Sequence, residues 1–317
     1  MGRKESGAIV FRRVTKRFHE RTAVADMDLE IATGSVFGLL GPNGAGKTTA
    51  VRLMLGILEP TTGEIRVLGL DPVRDGTRMR AQCGVVLDQV GLYERLTAEQ
   101  NLEFGARLGG IGASDRRRRI QAALERVDLW DRRKDRVSGF SKGMRQKLGL
   151  ARALITEPRI LILDEPTSGL DPENIVLLRE MLLSLAAEGG RTIVLCTHLL
   201  DEAERICSEV AILDKGRVRA VGAPRDLEEG GRPSVRLTLG GTDRIRPQEA
   251  LTALAGSVEV EELGHGEWRA WLKDPAEVEA VIAGLVRAGI GVRAAIPDKE
   301  TLEGAYLRLL REGGRDD

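Results

Sequence analysis

Short runs in which nearly every position is apolar, residues 36–40, 83–87, 160–163 and 192–197, are spread over the first two thirds of the chain. Strands that are apolar at successive rather than alternate positions are buried on both faces, as in a parallel sheet. Residues 8–31 instead recur at period two, through Val10 and Val14 and then Met27, Leu29 and Ile31, which predicts short strands with one face buried. Helical spacing fills the intervals. Val51, Leu53, Met54, Leu55 and Ile57 lead to a turn at Pro60-Thr61-Thr62-Gly63 and a strand at 64–69. From Leu92 to about Arg136 the pattern is helical, with Leu102, Phe104, Ala106 and Leu108, then Ile120, Ala123, Leu124, Val127 and Leu129. Ser141 stands as N-cap to a helix with Leu148, Ala151 and Leu154 on one face, and residues 209–214 and 217–221 read as a hairpin through Lys215-Gly216.

Beyond the glycine-rich stretch 230–233, read as a linker, the order changes. Val235, Leu237 and Leu239 alternate, a polar helix follows at 247–255, and strands at 258–263 and 267–272 flank Gly264-His265-Gly266. Val278, Val281, Ile282, Leu285 and Val286 mark a helical face, 290–296 a last strand and 302–310 a closing helix. That succession, β-α-β-β-α-β, is the ferredoxin-like arrangement. Two domains are expected: 1–230, an α/β unit whose helical part spans about 91–155, and 231–317, a small α+β accessory unit. No catalytic constellation is visible in the second. Trp268 and Trp271, three apart on a strand, are expected on opposite faces, one in the core.

Composition narrows the partners. Lys plus Arg and Asp plus Glu both number 48 in 317 residues, so no global field recruits nucleic acid or anionic lipid. The basic run Arg116–Arg119 is offset by Asp115 and Glu125 and reads as a solvated helix face. Cys83, Cys196 and Cys207 show no C-x-x-C spacing, which suits a reduced compartment. No apolar segment follows Met1-Gly2-Arg3-Lys4, and no run approaches the roughly 18 residues that span a bilayer. The expectation is a cytoplasmic protein whose membrane role, if it has one, needs a separate spanning partner.

The chemistry starts after residue 40. Gly41-Pro42-Asn43-Gly44-Ala45-Gly46-Lys47-Thr48 fits G-x-x-x-x-G-K-[ST] in full, with Thr49 following. Glycines let backbone N–H groups wrap phosphate oxygens, and the next helix points its N-terminus at the anion. Lys47 supplies a point charge, and the Thr48 hydroxyl is placed to ligate magnesium. The strand at 160–163 ends in Asp164 and Glu165, carboxylates costly at a buried strand end unless a cation or proton transfer uses them. Asp164 suits the metal, and Glu165 suits polarising a water. His198 follows the strand at 192–197 on the same edge, and Asp88 and Gln89 end the strand at 83–87, each a candidate sensor of a metal-bound nucleotide. Ser141 begins a second anion-accepting helix. Phe18, taken alone, reads as an ordinary core or turn phenylalanine.

In that order these motifs resemble the ATP-binding cassette (ABC) ATPases, a P-loop NTPase fold with a RecA-like core, an antiparallel β subdomain and a helical subdomain, over about residues 9–227. The chain looks most like the separately encoded ATPase subunits of bacterial multidrug and antibiotic exporters, the daunorubicin-resistance-like group. The resemblance implies a Walker A loop at 41–48, a Walker B strand ending in Asp164 with Glu165 as catalytic base, a D-loop from Ser168 to Asp171, a switch histidine at His198 and an adenine-stacking aromatic at Phe18. Two departures stand out. In the signature position the chain reads Phe140-Ser141-Lys142-Gly143-Met144, so Lys142 and Met144 replace a glycine and the final glutamine, while Ser141 and Gly143, the γ-phosphate contacts, survive. The metal-sensing glutamine of the family falls on Asp88, with Gln89 one place later. The resemblance further implies ATP and Mg2+, a head-to-tail homodimer with two sandwiched nucleotides, and an integral membrane permease gripped by the helical insert around residues 91–102. The subunit is then peripheral on the inner face of the cell membrane. The closing helix resembles the exporters' tail, a dimer or permease contact. A soluble cassette acting on nucleic acid or ribosomes is the rival, disfavoured by the single cassette, the lack of a long coiled-coil insertion between Lys47 and Ser141, and zero net charge.

Overall fold

The computed structural model describes residues 7–229, 233–240, 260–264, 266–272, 274, 276–298 and 301–313. They form two compact units, which divide between Pro224 and Arg225. Residues 230–232 of the expected linker at 230–233, and the expected helix at 247–255, lie outside the described residues.

In the first unit, β1 (Gly7–Phe18) and β2 (Arg21–Ala32) make a hairpin of two long strands rather than several short ones, with β4 (Thr62–Val67) on the far side of β1. All pairs in this three-stranded sheet are antiparallel, and the register slips between Phe11 and Val14. The second sheet takes β3 (Val36–Leu40), β5 (Cys83–Val86), β6 (Ile160–Asp164), β7 (Thr192–Thr197), β8 (Glu209–Asp214) and β9 (Arg217–Gly222) in the order β5-β6-β7-β3-β8-β9. Every pair is parallel except β8 with β9. Strands β3, β6 and β7 are buried at every position, which accounts for their unbroken apolar sequences. Ile9, Phe11, Met27 and Ile31 share one core with Leu39, Leu53, Met54 and Ile162, so both sheets close on helix α1 (Lys47–Met54). Leu55 caps α1, and Ile57 lies beyond it, 59% exposed. The short helix α2 (Gly76–Arg80) precedes β5.

Helices α3 (Ala98–Leu108), α4 (Ala113–Arg126) and α5 (Lys142–Leu154) have a core of their own, centred on Leu102, Leu124, Leu148 and Phe140. The buried face of α3 is Ala98, Leu102 and Ala106, four apart. Phe104 and Leu108, expected to share it, are 40% and 75% exposed. A spacing of two places side chains on opposite sides of a helix, so that grouping mixed two faces. Thr97 caps α3 with a capping box: its hydroxyl accepts from Gln100 N while Gln100 Oε1 accepts from Thr97 N. Helix α6 (Pro172–Ala187) follows β6, and α7 (Leu200–Ile206) follows β7. Cys196 and Cys207 are buried, and burial pushes the Cys83 and Cys207 thiols up to about 12, so they serve as small hydrophobes.

The short helix α8 (Pro224–Glu229) crosses the boundary between the units. In the second unit β10 (Ser234–Gly240), β11 (Val260–Gly264), β12 (Glu267–Trp271) and β13 (Gly291–Asp298) pair antiparallel in the order β11-β12-β10-β13. The first strand thus lies between the third and fourth, as the ferredoxin-like succession requires. Val281 and Leu285 of α9 (Glu277–Arg287) pack on Val235, Leu237 and Trp268, whereas Val286, expected on that face, is 59% exposed. Trp268 is buried and Trp271 only half-buried, the opposite-face arrangement expected from their spacing. Helix α10 (Leu302–Gly313) closes the chain.

Candidate active site

Because β6, β7 and β3 are adjacent and parallel, their carboxyl ends deliver Asp164, His198 and the glycine-rich loop to one edge. The loop lies close against its neighbours. A Cβ at Gly46, where φ is 109°, would come within 2.7 Å of the Ala23 carbonyl oxygen, and one at Gly41 would overlap that of Leu213. No side chain fits either place, which is the physical need behind both glycines. Ala45 N donates to Pro42 O at 3.1 Å, and Gly216 N in the β8–β9 turn donates to Ala45 O at 2.9 Å. Lys47 is 6% exposed and turns back on the loop. Its Nζ donates to Gly41 O at 2.6 Å and Pro42 O at 3.3 Å, and lies 3.4 Å from Glu165 Oε1.

Asp164 is 4% exposed. Thr48 Oγ1 donates to its Oδ2 at 3.2 Å, whereas its Oδ1 is buried with no hydrogen-bond partner. Burial pushes the Asp164 carboxyl above its ordinary 3.8; the Thr48 bond and Lys47 pull it down, and Glu165 and Asp88 push it further up. An orphaned carboxylate oxygen beside a hydroxyl and among like charges suits a hard divalent cation. The upward shift means that the folded chain holds this proton more tightly than the unfolded one. The penalty is therefore present at neutral pH, and stability is regained as pH falls from the raised value towards 3.8. Asp164→Asn is accordingly expected to raise the melting temperature of the nucleotide-free chain at pH 7, by about 2–4 °C per kcal/mol of relieved burial cost and repulsion, while weakening cation-dependent nucleotide binding. Differential scanning fluorimetry with and without Mg2+-ATP reads both effects.

Glu165 sits just past β6 at φ 50°, in the left-handed region uncommon for a residue with a side chain. Its backbone N donates to Cys196 O at 2.8 Å, which fixes the turn to the end of β7. Glu165 Oε2 is 2.8 Å from His198 Nδ1; an ionised carboxylate only accepts, so Nδ1 carries the proton. The base candidate is thus held between the Lys47 ammonium and the His198 ring.

A cavity of about 470 Å3 opens over Lys47, Thr48, Asp164 and Glu165, while His198 stands behind Glu165 and does not line it. Pro42, Asn43, Gly44, Gly46, Lys47, Thr48 and Thr49 form its floor, Asp164 and Glu165 one side, and Phe18, 41% exposed, the rim. Asp88 lines it as well. Gln89 does not: it lines a neighbouring cavity of about 590 Å3 with Lys142 and Arg145, which Asp88 borders as well. Of the two candidates beyond β5, the fold therefore brings only Asp88 to the cavity that Thr48 and Asp164 line. Ser141, Gly143 and Asp171 also lie away from this cavity. Ser141 caps α5, its Oγ accepting from Met144 N at 3.2 Å, and Asp171 caps α6 through Asn174 N at 2.9 Å. The two helix starts touch: a Cβ at Gly143 would fall 2.8 Å from Asn174 Cγ, and one at Gly169 would overlap Lys142 Nζ. Arg21, the first residue of β2 and not among the candidates from sequence, lines the cavity beside Phe18; its one signal was a basic residue three places after that aromatic.

Residues 24–168 match the ABC transporter family. The chain is 36% identical to the daunorubicin resistance ATP-binding protein DrrA3 of Streptomyces coeruleorubidus over 95% of each chain. It is 38% identical to the Nod factor export ATP-binding protein I of Burkholderia thailandensis, over 95% of this chain and 96% of that one. The chain belongs to the ABC transporter family. As an ABC ATP-binding subunit it binds ATP and is an ATPase. Its ABC cassette also resembles the dimeric post-hydrolysis structure of the ATP-binding cassette MJ0796 bound to ADP and Pi, with a TM-score of 0.63 and 27% identity over 68% of this chain and 98% of that one. ATP-binding subunits of ABC transporters dimerise and work with membrane permeases. No helix among the described residues of this ABC subunit is long and apolar enough to cross a membrane.

Proposed function

We propose that two copies of the chain close head to tail over two ATP molecules and thereby drive a separately encoded permease that exports its substrate. The observation that carries this reading is the cavity corner where Thr48, the orphaned Asp164 Oδ1, Asp88 and Lys47 converge. In it, the loop N–H groups and Lys47 take the phosphates, Phe18 stacks on the base, and Thr48, Asp164 and Asp88 hold magnesium. Magnesium bound there would neutralise phosphate charge. Glu165 orients and deprotonates the attacking water, and His198 holds Glu165 through Nδ1. Ser141 and Gly143 begin a helix whose N-terminus lies away from the chain's own cavity, which suits them to the γ-phosphate across a dimer boundary.

The exposed pair Tyr93 and Phe104, ring centroids 4.9 Å apart, with Leu108 beyond, suits the permease contact. Export is supported by the names of the relatives matched over nearly the whole chain. The test is particle mass by light scattering in the Glu165→Gln background. ATP with Mg2+ is expected to double the 34.5 kDa mass, and an added Ser141→Arg to prevent it. A Glu165→Gln chain that stays at single mass with saturating ATP would refute the head-to-tail reading.

A further inference from the structure

The stretch from Val90 to Tyr93 joins Asp88 in the nucleotide cavity to the exposed aromatic pair, and it is held by side chains of two helices. Arg152 of α5 donates from Nη1 to Gly91 O at 2.7 Å and from Nη2 to Val90 O. One turn earlier on α5, a Cβ at Gly149 would overlap Val90 Cγ1, so the valine seats in a notch that only glycine leaves. Gly105 of α3 makes room for the Arg152 stem, since a Cβ there would fall 3.0 Å from Arg152 Cγ. Asn101, 1% exposed, grips the other end: its Oδ1 accepts from Tyr93 N at 2.8 Å, and its Nδ2 donates to Tyr93 O at 3.0 Å and Thr97 O at 2.9 Å. These carbonyls and the Tyr93 N–H have their partners in helix side chains, so the stretch cannot shift without breaking several bonds, most of them part-buried and two of them charge-assisted.

Helix α5 is the one that Ser141 caps, about three turns before Arg152. We infer that Arg152 is a positioning residue that couples the two nucleotides of a dimer: it ties the Asp88 stretch, which reads the chain's own nucleotide, to the helix whose start meets the partner's. The inference rests on the head-to-tail reading above. Arg152 touches no nucleotide; it makes α5 and residues 90–91 one rigid body, so that a shift of Asp88 on binding is carried to Ser141. Arginine suits this because its planar fork offers the two carbonyls separate donors in a fixed geometry, whereas a lysine must serve both from one nitrogen on a flexible stem.

The experiment compares wild type, Arg152→Met, Arg152→Lys, Asp88→Asn and the Asp88→Asn/Arg152→Met double variant in the purified chain. Three quantities are read: affinity for a fluorescent ATP analogue at low protein concentration, steady-state ATPase against ATP concentration, and ATP-driven dimerisation with Glu165→Gln added. Arg152→Met is expected to keep single-chain affinity within about twofold, to lower the maximal rate about tenfold and to bring the Hill coefficient to one. Arg152→Lys, which keeps stem and charge, falls between and serves if the methionine variant does not fold. The double variant is expected to be no slower than the slower single, because both break one linkage. Additive losses, or an unchanged Hill coefficient in both Arg152 variants while wild type dimerises, overturn the inference alone. A wild type without ATP-driven dimers overturns the head-to-tail reading and the inference with it.

Discussion

Glu165→Gln is expected to yield a chain that binds ATP yet hydrolyses it about 10²–10⁴-fold more slowly, the usual worth of a positioned general base. The substitution preserves shape and removes only basicity. Glutamine Oε1 still accepts from His198 Nδ1, where the carboxylate makes its 2.8 Å contact, and the left-handed turn at residue 165 stays fixed by its backbone bond to Cys196 O. The ion pair to Lys47 at 3.4 Å is lost, but Lys47 keeps its bonds to Gly41 O and Pro42 O, so the loop holds its form. Single-turnover phosphate release set beside equilibrium ATP binding separates the two effects. Release within threefold of wild type would remove Glu165 from the role of base.

Lys47→Met is the second large effect, acting on binding rather than chemistry. A charge-assisted hydrogen bond to phosphate is worth about 1.5–3 kcal/mol, so ATP affinity is expected to fall about 10–150-fold. The net loss belongs towards the lower end, because wild-type Lys47 must first leave the two loop carbonyls it holds in this structure. Removing the ammonium also leaves Glu165 Oε1, buried and without a hydrogen-bond partner, with no opposite charge beside it. The variant is therefore expected to be less stable as well as a weaker binder, and Glu165→Gln on top of it to restore part of the stability but none of the affinity. Isothermal titration with Mg2+-ATP and thermal unfolding of both variants measure this. Unchanged affinity in Lys47→Met would mean that the cavity holds phosphate some other way.

How far the letters revealed this molecule depended on whether a residue's job is local. The strands at 160–163 and 192–197 were readable because burial on both faces leaves polar residues no place to alternate, and both are buried throughout. The glycine-rich loop was readable because the close approach of Ala23 and Leu213 forbids a Cβ at two of its fixed positions. The cap at Ser141 answers to a bond within its own first turn. What stayed hidden was set by partners far along the chain. Nothing local marks Glu165 for a left-handed turn; the Cys196 carbonyl that pins it lies on β7. Asp88 and Gln89 are equally polar, and only the fold shows that Asp88 reaches the cavity of Thr48 and Asp164 while Gln89 does not. Arg152 reads as one more cation on an amphipathic helix until Val90 and Gly91 are seen beside it.

The order of the six-stranded sheet has a further consequence. Strand β7 is the bar between β6 and β3, with Cys196 level with Asp164 on one side and Thr197 level with Leu40 on the other. Inserting one residue there would slide His198 along the bar by about 3.3 Å and turn it to the opposite face. The loop and the cation corner, carried by the flanking bars, would stay in place. Evolution and engineering alike can therefore exchange letters in this strand far more freely than they can change its length.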